Sequence, residues 1–203
     1  MKNPIDTYLS IADETSGSYR EKASKFISYA VPVASELEVK MKMDRIRKEY
    51  HDANHFCYAF RIGFGNFIYR VNDDGEPSGS AGKPIYGQIL SKNLTDILIV
   101  VVRYFGGKKL GIPGLINAYR TAAMEALVQA QVITKIVSIT YTVKFPYIAM
   151  NEVMRILKEE DAKISMQASA VECHLIFSIR KSLSDQIRNR LSRINDISIV
   201  INI

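Results

Sequence analysis

Six consecutive residues, Ile97-Leu98-Ile99-Val100-Val101-Val102, are aliphatic throughout and mostly β-branched. No polar residue alternates with them, so the run has no solvent face. Such a segment is a strand buried on both sides, of the kind found centrally in a sheet. It ends at Arg103. Two glycine-rich loops bracket it, residues 73–82 (DDGEPSGSAG) and residues 104–114 (YFGGKKLGIPG), and each precedes a stretch with helical character.

Upstream, residues 7–13 alternate and predict an edge strand, and residues 15–18 (TSGS) predict a turn. Residues 24–33 predict a strand with Phe26, Ser28 and Ala30 on one face and Ile27, Tyr29 and Val31 on the other. It stops where Pro32 removes a ladder donor. Ser35 and Glu38 form a capping box that opens a helix over 36–50. The polar face of that helix is basic, with Lys40, Lys42, Arg45, Arg47 and Lys48, and a solvated surface is its plain explanation. Residues 55–62 and 67–71 read as a hairpin turned by Gly63, Gly65 and Asn66. A helix over 82–91 then joins the strands 67–71 and 97–102 into a β-α-β unit, which makes those two strands parallel. Pro113 fits a first helical turn, and Leu115, Tyr119, Ala122, Ala126 and Ala130 recur at helical spacing to about residue 131.

The pattern changes after that. A strand over 136–145, a helix over 147–160, strands over 162–170 and 172–180, a helix capped by Ser182, and a strand over 197–203 give the order β-α-β-β-α-β. That is the ferredoxin-like unit. The chain is therefore α+β, with a first domain over 1–133, containing the βαβ crossover, and a second over 134–203.

The 203 residues carry a net charge of +6. The excess is even, with 17 Lys/Arg against 14 Asp/Glu up to residue 134 and 10 against 7 after it. It permits a nucleic-acid partner without demanding one. No apolar run has the length of a membrane span, and the first residues hold no apolar signal core, so a cytoplasmic protein with no membrane partner is expected. Cys57 and Cys173 are too few and too far apart for a disulfide framework or a cysteine zinc site.

Both loops follow strands that point the same way, so both open on one edge of the sheet, where α/β sheets bind ligands. Backbone N–H groups at residues 80–82 and 111–115 would face that edge with the positive ends of two helix dipoles. Gly79, Gly82, Gly106, Gly107, Gly111 and Gly114 would allow close approach by a ligand. Lys83, Arg103, Lys108 and Lys109 add positive charge, and Ser78 and Ser80 add hydroxyls. An anion fits best, as a phosphate of a nucleotide or nucleic acid. Tyr104 and Phe105 could stack on bases, with core packing the stronger expectation for Phe105.

Three carboxylates complicate this picture. Asp73, Asp74 and Glu76 could hold Mg²⁺, could pair with Arg103 or Lys108 and brace the loops, or could simply make a turn at Asp74-Gly75. Arg103 is either a bracing partner or an anion contact. His55 is expected to be structural. The second loop lacks the Gly-Lys-Ser/Thr ending of a P-loop, neither loop has dinucleotide-binding glycine spacing, and no nucleophile elbow is present.

With these residues in view, the chain resembles the IMPACT family. The matching blocks are residues 24–27 (SKFI), 53–59 (ANHFCYA), 73–84 (DDGEPSGSAGKP) and 102–111 (VRYFGGKKLG), with Leu115, Ala118 and Tyr119. The family usually has Thr-Gly-Gly where Ile112-Pro113-Gly114 stands, and Thr where Ser80 stands. The resemblance implies a ribosomal-protein-like β-α first domain and a ferredoxin-like second domain similar to those of elongation factor G. It also implies a link to translation, since the eukaryotic namesake looks like a translational regulator. Its mechanism uses an additional N-terminal domain and is not carried over.

Three functions follow as expectations. The first is a non-enzymatic regulator that binds RNA or ribosome-associated components through the loop edge, with no cofactor. The second is a Mg²⁺-dependent enzyme acting on a nucleotide or other phosphorylated small molecule. The third is a protein-interaction module using the ferredoxin-like sheet, which an exposed apolar patch over 162–180 would favour.

Overall fold

The computed structural model describes residues 6–168 and 172–202. In chain order they form β1 (Thr7–Ile11), β2 (Thr15–Glu21), β3 (Ser24–Pro32), α1 (Glu36–Glu49), β4 (His55–Ile62), β5 (Ile68–Asn72), α2 (Gly82–Ser91), β6 (Ile97–Tyr104), α3 (Gly111–Val128) and β7 (Val132–Ile136). There follow β8 (Ser138–Pro146), α4 (Met150–Glu159), β9 (Lys163–Ala168), β10 (Glu172–Arg180), α5 (Ser184–Leu191) and β11 (Ser198–Asn202). The fold is α+β, as the sequence predicts. By packing, residues 8–135 form one unit, and residues 6–7 join residues 136 onward in a second.

In the first unit the aliphatic run lies in β6, the middle strand of a five-stranded sheet ordered β2-β3-β6-β4-β5. Alternation then assigns its side chains to two cores. Ile97, Ile99 and Val101 join Phe26, Ala30 and the buried faces of α2 and α3. Leu98, Val100 and Val102 join Val31, Phe60 and the α1 residues Val39, Met43 and Ile46. A helix layer covers each face, which is why no polar residue interrupts the run.

The strands β5 and β6 run in the same direction, as a β-α-β crossover requires, but they are not neighbours. β4 lies between them and is antiparallel to both. The hairpin partner thus occupies the place that local sequence cannot reserve. Both loops still leave the same edge of the sheet.

Residues 15–18 are not a turn. They open β2, which pairs with β3 in continuous register, Gly17 opposite Ser28. The small polar residues belong to an edge strand against which α3 lies very close. A Cβ on Gly17 would sit 2.6 Å from the Ala126 nitrogen, and Thr15 Oγ1 donates to the Ala126 carbonyl at 2.8 Å. Gly17→Ala should lower the unfolding free energy by about 1–3 kcal/mol, because backbone rather than a side chain must yield. Urea unfolding checks this, and an unchanged midpoint would mean that α3 is free to move off the sheet.

β1 pairs with β7 in a separate two-stranded sheet and is not an edge of the main one. The predicted strand over 136–145 therefore divides into β7 and β8, and α3 ends at Val128, earlier than its alanine spacing suggests.

The second unit has the sheet order β11-β8-β10-β9 with antiparallel neighbours throughout. This is the ferredoxin-like arrangement of β-α-β-β-α-β. Tyr141, Val143, Phe145, Leu175 and Phe177 pack against Val153, Leu157, Ile187 and Leu191. Of the predicted strand over 162–170, the last two residues lie outside the described residues. Ser182 does not cap α5. Its hydroxyl donates to Asp6 Oδ2 at 2.5 Å, the Asp6 carbonyl accepts from Val137 N–H at 2.7 Å, and Arg180 Nε stands 3.6 Å from the same carboxylate. Among the described residues no helix is long and apolar enough to cross a membrane.

Candidate functional site: a cleft between the two glycine-rich loops

The three carboxylates of the first loop point in three directions. Asp73 turns back onto the start of α2. Its Oδ1 accepts from the Ala81 and Gly82 N–H groups at 3.0 and 2.8 Å, and its Oδ2 from Gly79 N–H at 2.8 Å. Burial opposes the charged form, but the three backbone donors, with Lys83 nearby, outweigh it and hold the carboxyl below its usual range. The anion that the sequence predicts at this helix start is thus the protein's own. Ser80 adds nothing to a ligand either, since it is buried and its hydroxyl donates to the Pro77 carbonyl at 2.6 Å.

Asp74 sits in the left-handed region at φ 44°, where a short polar side chain is tolerated. Its carboxylate accepts from Phe56 N–H at 2.6 Å and from Arg47 Nη2 at 2.9 Å. Its carbonyl accepts from His55 Nδ1 at 2.8 Å. That contact makes Nδ1 the protonated nitrogen and leaves Nε2 with the lone pair in the neutral ring.

Glu76 reaches inward to Arg103. Arg103 Nη1 donates to Glu76 Oε1 at 2.5 Å, and the two side chains are only 5% and 4% exposed. Tyr119 donates to the same oxygen at 2.7 Å, and His55 Nε2 lies 3.9 Å from it. Burial, then the neighbouring Cys57 and Glu76, push the Tyr119 phenol up, so it stays a donor. Burial likewise pushes the Cys57 thiol up, which makes it a poor nucleophile. Among the described residues no group of three His, Cys, Asp or Glu could hold a metal ion. Of the three alternatives for Asp73, Asp74 and Glu76, the geometry matches bracing: each carboxylate is bonded to donors of the protein, and the three do not gather into one ligand set. Arg103 is a bracing partner and is not held ready for a free anion.

The glycines also serve the protein's own backbone. A Cβ on Gly82 would lie 2.7 Å from the Asn72 nitrogen, and one on Gly106 would lie 2.2 Å from the Ala23 carbonyl. Both positions are closed to a ligand from that side. Asn54 fixes the second loop from below by accepting from Phe105 N–H at 2.7 Å.

Above this bracing lies a cleft of about 440 Å³ lined by His55, Glu76, Pro77, Arg103, Phe105 and Lys109, with Leu110, Ile112 and Leu115 on one wall. Of the predicted site residues, Arg103, Glu76 and Lys109 come together here. Phe105 is 45% exposed and is not core. Tyr104 faces the opposite side of the sheet, where it donates to Asp52 Oδ1 at 2.7 Å, a bond that pushes its phenol up to about 12. Ser78, Lys83, Gly107 and Lys108 are exposed. Sequence reasoning missed the hydroxyl role of Tyr119 and the cleft-lining Pro77. By its spacing Tyr119 reads as one position of an apolar helix stripe, which says nothing of its hydroxyl.

Comparison with known proteins agrees with the blocks that build this cleft. The family model for the Impact N-terminal domain matches residues 22–127. IMPACT family member YvyE of Bacillus subtilis is 37% identical over 123 residues, 61% of this chain and 57% of that protein. This chain thus aligns with little over half of the Bacillus relative. IMPACT family member YigZ of Escherichia coli is 34% identical over 145 residues, 70% of this chain and 71% of that protein. A solved structure described as that of a hypothetical protein covers 98% of both chains at 26% identity with a TM-score of 0.73. On the Impact N-terminal match and the YigZ alignment, the chain belongs to the IMPACT family.

Proposed function

We propose that this protein is a translation-associated regulator that binds RNA, free or within ribosomal components, through the edge carrying the two glycine-rich loops. One observation carries the reading. All three acidic side chains of the first loop are committed to internal donors, while Lys83, Lys108 and Lys109 at the same edge are exposed. The outward face of the edge is therefore basic although its sequence is mixed. Exposed lysines above a rigid frame attract a polyanion and release its counterions. The overall charge of +6 acts in the same direction. Membership of the IMPACT family, whose eukaryotic namesake resembles a translational regulator, supports the translational part of the reading.

Binding of a fluorescent RNA and of purified ribosomes, titrated against salt, tests this. Lys108→Glu/Lys109→Glu should weaken binding at least about tenfold and make the log–log salt slope shallower by about two. Unchanged affinity in the double variant would remove this edge from the interface.

A further inference from the structure

The floor of the cleft holds charges that are already paired. Arg103 and Glu76 neutralise each other at 2.5 Å, and Tyr119 donates to the same carboxylate. A free phosphate or carboxylate placed there would meet Glu76 as much as Arg103. A group with its own donors and acceptors and no net charge suits such a floor better. His55 supplies the open polar atom beside this floor: its Nε2 stands 3.9 Å from Glu76 Oε1, and its side chain is more open than those of Glu76 and Arg103.

The walls are apolar, from Pro77, Leu110, Ile112 and Leu115. Phe105 forms the mouth, its ring 5.4 Å from the Arg103 guanidinium and nearly half its surface open. Lys109 lines the same cleft, and Lys108, the next residue, is exposed. Apolar walls, an aromatic ring, a neutral polar floor and a cationic rim match the parts of one nucleotide in that order. The volume falls within the roughly 300–1,000 Å³ of small-ligand pockets.

We propose that the cleft receives one unpaired base of single-stranded RNA, with its flanking phosphates on Lys108 and Lys109. This rests on the RNA-binding reading above and specifies it. The base lies between Phe105 and the Ile112–Leu115 wall, with its polar edge toward His55, whose side chain is 25% exposed. A base within a duplex is already stacked and paired and does not enter, so the protein selects single strands, loops or ends.

The test compares three probes on the full chain at one salt concentration: a mixed-sequence 12-nucleotide RNA, its duplex, and a single strand of equal length and charge with abasic sites. The single strand should bind about tenfold more tightly than either of the others. Phe105→Ala should remove that preference and leave duplex binding as it was. Equal affinity for all three probes would overturn base insertion while leaving phosphate contact at the lysines intact. Binding to none of them would overturn both. The abasic comparison uses the unaltered protein, so it stands even if the Phe105 variant folds poorly.

Discussion

Arg103→Met should lower the unfolding free energy by about 3–5 kcal/mol, making it the most damaging single change in the first unit. The loss does not come from the net worth of the ion pair, which is modest for buried pairs in general. It comes from what remains: the Glu76 carboxyl, 4% exposed, would lose its guanidinium partner and be left with the Tyr119 hydroxyl and the His55 ring beside it. The companion variant sharpens this. Arg103→Met/Glu76→Gln removes both charges and should recover more than half of the loss. Urea titrations of the two single variants and the double one measure the coupling. If the single variants cost less than about 1 kcal/mol, the pair does not brace the loops. Added salt should leave the coupling energy of the pair almost unmoved, because solvent ions do not reach it.

Asp73→Ala should cost about 2–4 kcal/mol, by stripping three backbone donors of their acceptor at once. Gly79, Ala81 and Gly82 N–H groups would then face a small void at the start of α2. Asp73→Asn should fall between, since an amide oxygen can serve one side of the cradle but its NH₂ opposes the other. The wild type carries the same information in its acid response. The folded carboxyl lies below its unfolded value of about 3.9, so protonation favours the unfolded chain. The stabilisation is therefore full above about pH 4 and drains away as pH falls through the folded pKa. Acid unfolding curves of wild type and Asp73→Asn should converge at low pH and separate above about pH 4. Parallel curves throughout would mean that Asp73 does not cap α2.

The central strand was legible because burial on two faces leaves a mark in composition: a run such as 97–102 has no other economical reading. The capping box at Ser35 was legible for a similar reason, since its bonds are local, and Glu38 N–H does donate to Ser35 Oγ at 3.2 Å. The carboxylates were not. Asp73 and Asp74 are neighbours of identical chemistry, yet one folds back on α2 and the other pairs with α1 and β4. Only tertiary placement separates them. Glycine misled in a consistent direction. At Gly17 it suggested a turn, and at Gly82 and Gly106 access for a ligand, but each lets one piece of the protein's backbone lie against another. Sequence reports that space is needed at a glycine without saying what fills it. Strand order was hidden as well, because the insertion of β4 between β5 and β6 is a pairing choice that no residue of α2 records.

Asp6 introduces a constraint of time. Its partners are Val137, Arg180 and Ser182, so this residue waits on a segment synthesised some 175 positions later. Residues 8–135 can pack as they leave the ribosome, while Asp6 stays unsatisfied until the residues around Val137, Arg180 and Ser182 are in place. A nascent chain stalled before residue 180 should therefore show a protected five-stranded sheet with the chain at Asp6 and Thr7 open to protease, and completion of synthesis should close that site. The order of synthesis and the order of assembly are opposed at this residue.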